Sequence, residues 1–153
     1  MQKDIDIIIY GATGFTGQLC VKYFKSLNTS VKWAIAGRDK KKLQQVAEDN
    51  SVDVEILIAD SDNEAELDAL TSRAKVMLST TGPFHRYGSK LVASCVKNCS
   101  HYVDITGENF WVKGIIAKHH EEASAKGIRI IPSCGYDSIP SDLGVFYSAK
   151  VLN

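Results

Sequence analysis

The sequence predicts an α/β domain built on a doubly wound, six-stranded parallel sheet with strand order 3-2-1-4-5-6. Three observations predict it. Short apolar runs alternate six times with stretches of helical spacing. The intervals between runs suit the helical crossovers that parallel pairs require. A glycine string joins the first run directly to the first helical stretch. Right-handed crossovers and the position of that string lead to this order.

The strands are read at residues 5–10, 31–36, 54–59, 75–79, 101–104 and 128–131. The first reads Ile-Asp-Ile-Ile-Ile-Tyr, a near-continuous apolar run of the kind that is buried on both faces of a parallel sheet. Between the strands, helices are expected at 15–27, 40–49, 64–72, 87–98 and 109–126. In the fourth, Leu91, Val92, Cys95, Val96 and Cys99 recur at spacings of three and four, which gives one apolar stripe and makes both cysteines core thiols. Beyond the sixth strand, Pro140 suits a first helical position and Asp142 the positive first turn, so a last helix is expected through residue 152.

At 153 residues the chain has the length of about one domain. With 44% hydrophobic and 24% charged residues it is neither disordered nor a disulfide scaffold. Eighteen basic residues balance eighteen acidic ones, so no overall field draws a nucleic acid. No apolar run approaches the ~20 residues of a membrane span, and the polar start Met1-Gln2-Lys3-Asp4 lacks a signal-peptide pattern. Cys20, Cys95, Cys99 and Cys134 include no Cys-x-x-Cys pair and read as reduced thiols of a cytoplasmic protein. No metal site is expected, since His119-His120-Glu121-Glu122 lacks the His-Glu-x-x-His spacing and reads as a solvated helix face.

The strongest chemical signal is Gly11-Ala12-Thr13-Gly14-Phe15-Thr16-Gly17. Between a strand and a helix, these spacings predict a tight turn at Gly11, close approach of a pyrophosphate at Gly14, and close helix–strand packing at Gly17. The helix N-terminus then presents free amides to the phosphates. About 20 residues further on, NAD-specific domains place an acid at the second strand tip. Here the chain reads Ala36-Gly37-Arg38-Asp39, and Arg38 offers a planar fork to a ribose 2′-phosphate. The expected cofactor is therefore NADP(H), with Asp39 as a helix cap. Asp60, at the third strand tip, is read either as an acceptor for the adenine amine or as a helix cap. Thr80, Thr81 and Gly82, after the fourth strand, leave room for the backbone of the cofactor.

A short-chain dehydrogenase would carry Tyr-x-x-x-Lys, whereas Tyr87…Lys90 and Tyr147…Lys150 are spaced by three and read as helix-surface pairs. The glycine string, Ala36-Gly37-Arg38, Gly82-Pro83-Phe84, Asp104-Ile105-Thr106-Gly107-Glu108 and the block from Gly135 through Tyr136, Asp137 and Pro140 to Gly144 together resemble the saccharopine dehydrogenase family. They are most similar to its saccharopine dehydrogenase-like oxidoreductase branch. The resemblance implies an N-terminal Rossmann domain, residues 1–137, with 138–153 opening a helix toward a substrate domain that this chain lacks. It also implies dimer contacts made by the later segments, so a homodimer is possible for a full-length protein.

Position at the carboxyl edge of the sheet nominates Asp104 and Glu108 after the fifth strand and Tyr136 and Asp137 after the sixth. Tyr136 or Asp137 could donate to or polarise a carbonyl or imine, and Asp104 or Glu108 could hold a substrate ammonium; each could equally cap a helix or brace a loop. His85 follows the cofactor loop and is placed to approach a nicotinamide. Two function classes follow. One is an NADP-dependent oxidoreductase that transfers hydride to or from a C=O, C=N or C=C of a small-molecule substrate, this chain alone being inactive. The other is a non-catalytic NADPH-sensing interaction protein on the same fold.

Overall fold

The computed structural model describes residues 3–27 and 29–152. Met1 and Gln2 of the polar start, Asn28 and Asn153 lie outside the described residues. Along the chain run β1 (Ile5–Tyr10), α1 (Phe15–Ser26), β2 (Trp33–Gly37), α2 (Lys40–Asp49), β3 (Glu55–Ile58) and α3 (Glu64–Arg73). They are followed by β4 (Ala74–Ser79), α4 (Phe84–Lys97), β5 (His101–Asp104), α5 (Asn109–Ala125), β6 (Ile130–Ile131) and α6 (Ile139–Leu152). The six strands form one sheet in the order β3-β2-β1-β4-β5-β6, and every neighbouring pair is parallel. This is the expected doubly wound arrangement.

Consecutive residues of a strand face opposite sides of the sheet, and β1 shows why its isoleucines are nearly unbroken. Ile8 packs with Met77, Leu91, Val92 and Tyr102 in one core layer, while Ile9 packs with Val21, Ile35, Leu43 and Val46 in the other. Both isoleucines are wholly buried, and each contributes about 1.5–3 kcal/mol of hydrophobic stabilisation. Leu91, Val92, Cys95 and Val96 form the predicted stripe of α4. Cys99 does not belong to it: the helix ends at Lys97, and Cys99 stands exposed in the left-handed region at φ 55°. His119 also departs from expectation, being buried beneath α5 rather than solvated like its neighbours His120 to Glu122.

Boundary differences have local causes. Strand β2 starts at Trp33 rather than residue 31 because the Lys32 amide donates to the Asp6 carboxylate at 2.8 Å. Strand β6 is confined to two residues, the Arg129 amide being taken by His101 Nδ1 at 2.9 Å. Helix α4 begins three residues before the expected Tyr87, because the Glu108 carboxylate caps the amides of Phe84 and His85. Helices α3 and α4 are pinned by Asp68, which accepts from Ser94 Oγ at 2.5 Å, from Asn98 Nδ2 at 3.2 Å and from Lys97 Nζ. Helix α6 forms as expected, with Pro140 in its first turn, but buries none of its side chains. No helix among the described residues is long and apolar enough to cross a membrane.

Candidate functional site

The strand order reverses between β1 and β4, and a crevice opens there at the carboxyl ends of the strands. The cleft has a volume of about 250 Å³. Its walls come from four strand tips: Gly11, Thr13 and Gly14 after β1, Gly37 and Arg38 at β2, Ser61 after β3, and Thr80 to Gly82 after β4.

The glycines divide by function. Gly11 adopts φ +88°, and a Cβ there would stand 2.9 Å from Thr80 Oγ1 and closer still to Thr81 Oγ1. Gly17 is buried against the turn: its Cβ would stand 2.7 Å from Ala12 Cα and nearer yet to the Gly11 carbonyl oxygen. Both serve the fold. Gly14 is exposed, and the nearest atom a Cβ would meet is the Gly11 carbonyl oxygen at 3.4 Å, so no close internal packing accounts for glycine here. Its bare backbone faces the cleft.

Helix α1 starts at that point without a side-chain cap and without an acid in its first turn. By contrast, Asp39 caps α2 by accepting from the Lys42 amide at 3.1 Å, as expected, and Asn63 caps α3. The first amides of a helix lack partners within it and carry its positive dipole end. At α1 they are left for an anion. Arg38 stands exposed at the other wall with no hydrogen bond or ion pair to the protein among the described residues, beside the lysines of the first turn of α2. Thr81 Oγ1 is buried in the wall with no hydrogen-bond partner among the described residues. An open glycine backbone, an uncapped helix and a free guanidinium match the diphosphate and 2′-phosphate of NADP(H).

Other residues shape the walls. Thr80 Oγ1 donates to the carbonyls of Tyr10 and Gly11, each at 3.2 Å, tying the tip of β4 to the turn after β1. Tyr10 is buried, its hydroxyl donates to the Ala59 carbonyl at 3.3 Å, and burial first, then the Asp60 charge, pushes the phenol up to about 12. Tyr10, Gly37, Ser61 and Tyr87 line the cleft without having been singled out for it in the sequence. Tyr87, read there as half of a helix-surface pair, has Arg86 5.1 Å above its ring. A tyrosine in the first turn after the Gly82-Pro83 loop was the available signal.

Among the remaining cofactor candidates, Ala12 is buried beneath the turn, whereas Phe15 and Thr16 begin α1 outside the cleft lining. Asp60 closes its own turn, accepting from the Asp62 amide at 2.9 Å, and it is Asn63 that caps the helix. The four nominated catalytic residues do not line the cleft. Asp104 is buried and accepts from Tyr102 Oη at 2.8 Å, Thr106 N at 3.0 Å and Ser133 N at 2.9 Å, joining the loops after β5 and β6. Burial raises its carboxyl above the usual range, against the pull of those amides. Glu108 Oε1 accepts from Phe84 N at 2.7 Å, and Oε2 pairs with His85 N at 2.9 Å and His85 Nδ1 at 2.6 Å. Desolvation opposes ionisation of Glu108, but the donors of His85 and Phe84 prevail and hold its carboxyl below the ordinary range. Tyr136 and Asp137 are exposed on the loop between β6 and α6, Tyr136 by 88%.

Residues 7–131 match the family described as the saccharopine dehydrogenase NADP binding domain. A trans-acting enoyl reductase of Mycobacterium leprae (strain TN) is 40% identical over 148 residues, covering 95% of this chain and 35% of that protein. A saccharopine dehydrogenase-like oxidoreductase of Mus musculus is 38% identical over 167 residues, covering 99% of this chain and 39% of that protein. The chain thus spans little more than a third of the length of these relatives. Among solved structures, apo histidine-tagged saccharopine dehydrogenase (L-Glu forming) from Saccharomyces cerevisiae shares the fold with a TM-score of 0.71 at 16% identity, over 88% of this chain and 28% of that one.

Proposed function

Since this chain belongs to the saccharopine dehydrogenase family, as an NADP(H)-binding domain of its oxidoreductases, we propose that it serves hydride transfer between NADP(H) and a C=C, C=O or C=N of a small molecule. The observation that carries this reading is the cleft at the strand reversal, where Gly14 presents bare backbone beside the uncapped start of α1. In this reading the amides of the first turn of α1 hold the diphosphate, and Arg38 clamps the 2′-phosphate while excluding NAD(H) by comparison. The bound cofactor supplies the hydride.

Asp104 braces the loops after β5 and β6 and Glu108 caps the start of α4, whereas Tyr136 and Asp137, exposed after β6, are polar groups free to meet a substrate. The name of the mycobacterial relatives favours an activated C=C as the reducible group. A hydride acceptor must be held within ~3.5 Å of its donor. We infer that segments present in the longer relatives do most of this positioning, and that this chain alone reduces nothing at a useful rate.

A second reading, an NADPH sensor that binds a partner without turnover, is favoured by α6, whose Val145, Phe146, Tyr147 and Val151 all stand exposed. One assay, on a form of the protein that carries the segments found in the longer relatives, separates the two: consumption of NADPH with a panel of enoyl thioesters, ketones and imines. Consumption with one class supports the reductase. Binding of NADPH without consumption by any of them, together with NADPH-dependent partner binding, supports the sensor.

A further inference from the structure

We propose that His85, held by Glu108, is the proton donor of the reduction; this rests on the reductase reading above and assigns a group to its second half-step. His85 lies in the first turn of α4, three residues after Gly82 and two before Tyr87, both of which line the cleft. That turn follows β4, on the side of the sheet that flanks the nicotinamide half of a dinucleotide.

The Glu108 carboxylate fixes the ring. It accepts from His85 Nδ1 at 2.6 Å and from the His85 amide at 2.9 Å. A carboxylate is an acceptor only, so Nδ1 carries the hydrogen and Nε2 is the nitrogen left for chemistry. Nε2 has no hydrogen-bond partner among the described residues, and the side chain is 53% exposed. On its flank Phe110, itself 70% exposed, packs at 5.6 Å between ring centroids, an apolar wall beside a polar atom.

The mount is rigid. Phe84 and Trp111 pack at 5.8 Å, Trp111 Nε1 donates to Ser89 Oγ at 2.9 Å, and a Cβ on Gly88 would stand 2.7 Å from the Trp111 ring. The first turns of α4 and α5 are therefore locked together, with the dyad between them.

For an enoyl thioester the balance is as follows. Hydride from NADPH forms a C–H bond at the β-carbon, the C=C electron pair moves toward the thioester carbonyl, and NADP+ is left. The imidazolium Nε2–H then gives its proton to the α-carbon, which returns the C=O. Neutral imidazole, with Nδ1–H still on Glu108, regains its proton from solvent. The substrate gains two electrons and two hydrogens, and the Glu108 carboxylate offsets the imidazolium charge before transfer.

The test uses the chain labelled with 15N, with crotonyl-pantetheine as probe. NADP+ alone is expected to shift the Gly14 amide resonance. Adding the probe to that complex should shift the His85 ring resonances, assigned by their loss in His85→Gln. With NADPH in place of NADP+, prolonged single-turnover incubation should yield butyryl-pantetheine, formed about a hundredfold more slowly by His85→Gln at unchanged melting temperature and NADPH affinity. An unmoved Gly14 amide overturns the cofactor-binding premise, and with it the reductase reading and the proton donor. A moved Gly14 amide with unmoved His85 resonances, or equal product from His85→Gln, overturns the role of His85 alone.

Discussion

Gly17 stands so close to Ala12 that a methyl group on it would lie 2.7 Å from the Ala12 Cα, whereas Gly14, three residues earlier, has open cleft in front of it. The two glycines of one motif therefore answer to different partners. Gly17→Ala should cost about 1–3 kcal/mol through overpacking against backbone, lowering Tm by roughly 3–10 °C. Gly14→Ala should leave Tm nearly unchanged and weaken NADPH binding at least tenfold. Thermal melts and calorimetry on both variants check this, and an unstable Gly14→Ala with normal affinity would contradict it.

Asp104 is predicted to matter for the fold rather than for cofactor affinity. Asp104→Ala leaves the buried Tyr102 hydroxyl and the Thr106 and Ser133 amides without their acceptor, a loss on the order of 3 kcal/mol. Tm should fall by roughly 6–12 °C, while the Kd for NADPH stays within about twofold, since the cleft is formed by other strand tips. A variant that melts normally but no longer binds NADPH would refute the assignment.

Acid should destabilise the domain partly through Asp68. Its carboxyl is held below the ordinary range, first by Lys97 and then by Ser94. A lowered folded pKa means the contribution is full above the unfolded value near pH ~4 and is lost as pH falls through the folded value. Asp104 has the opposite sign, since burial raises its carboxyl. Melting curves from neutral pH down to about 3 should show a shallower acid decline for Asp68→Asn than for the wild type; an unchanged decline would count against this account.

The sheet order was legible because β1 is almost wholly apolar and its glycine string has only a few structural uses. Arg38 was legible too, as a basic residue where a carboxylate reads a bare ribose. The braces were not. Asp104 meets Ser133 across 29 residues of sequence, and Glu108 meets Phe84 across 24. Nothing in the local pattern of either acid distinguishes a brace from a substrate contact. Ser61 and Tyr87 reach the cleft only because strand order brings the ends of β3 and β4 to the same crevice. The spacing of Ser61 in the chain carries no trace of that, and Tyr87 is marked only by its closeness to the Gly82-Pro83 loop.

The most direct test of NADP(H) recognition in this cleft is calorimetric titration of the wild type and Arg38→Ala with NADPH and with NADH. A charge-assisted contact between the guanidinium and the 2′-phosphate should favour NADPH by about 1.5–3 kcal/mol in the wild type. In Arg38→Ala that preference should collapse while NADH binds as before. Equal affinities in the wild type, or a preference for NADPH that survives Arg38→Ala, would contradict the account.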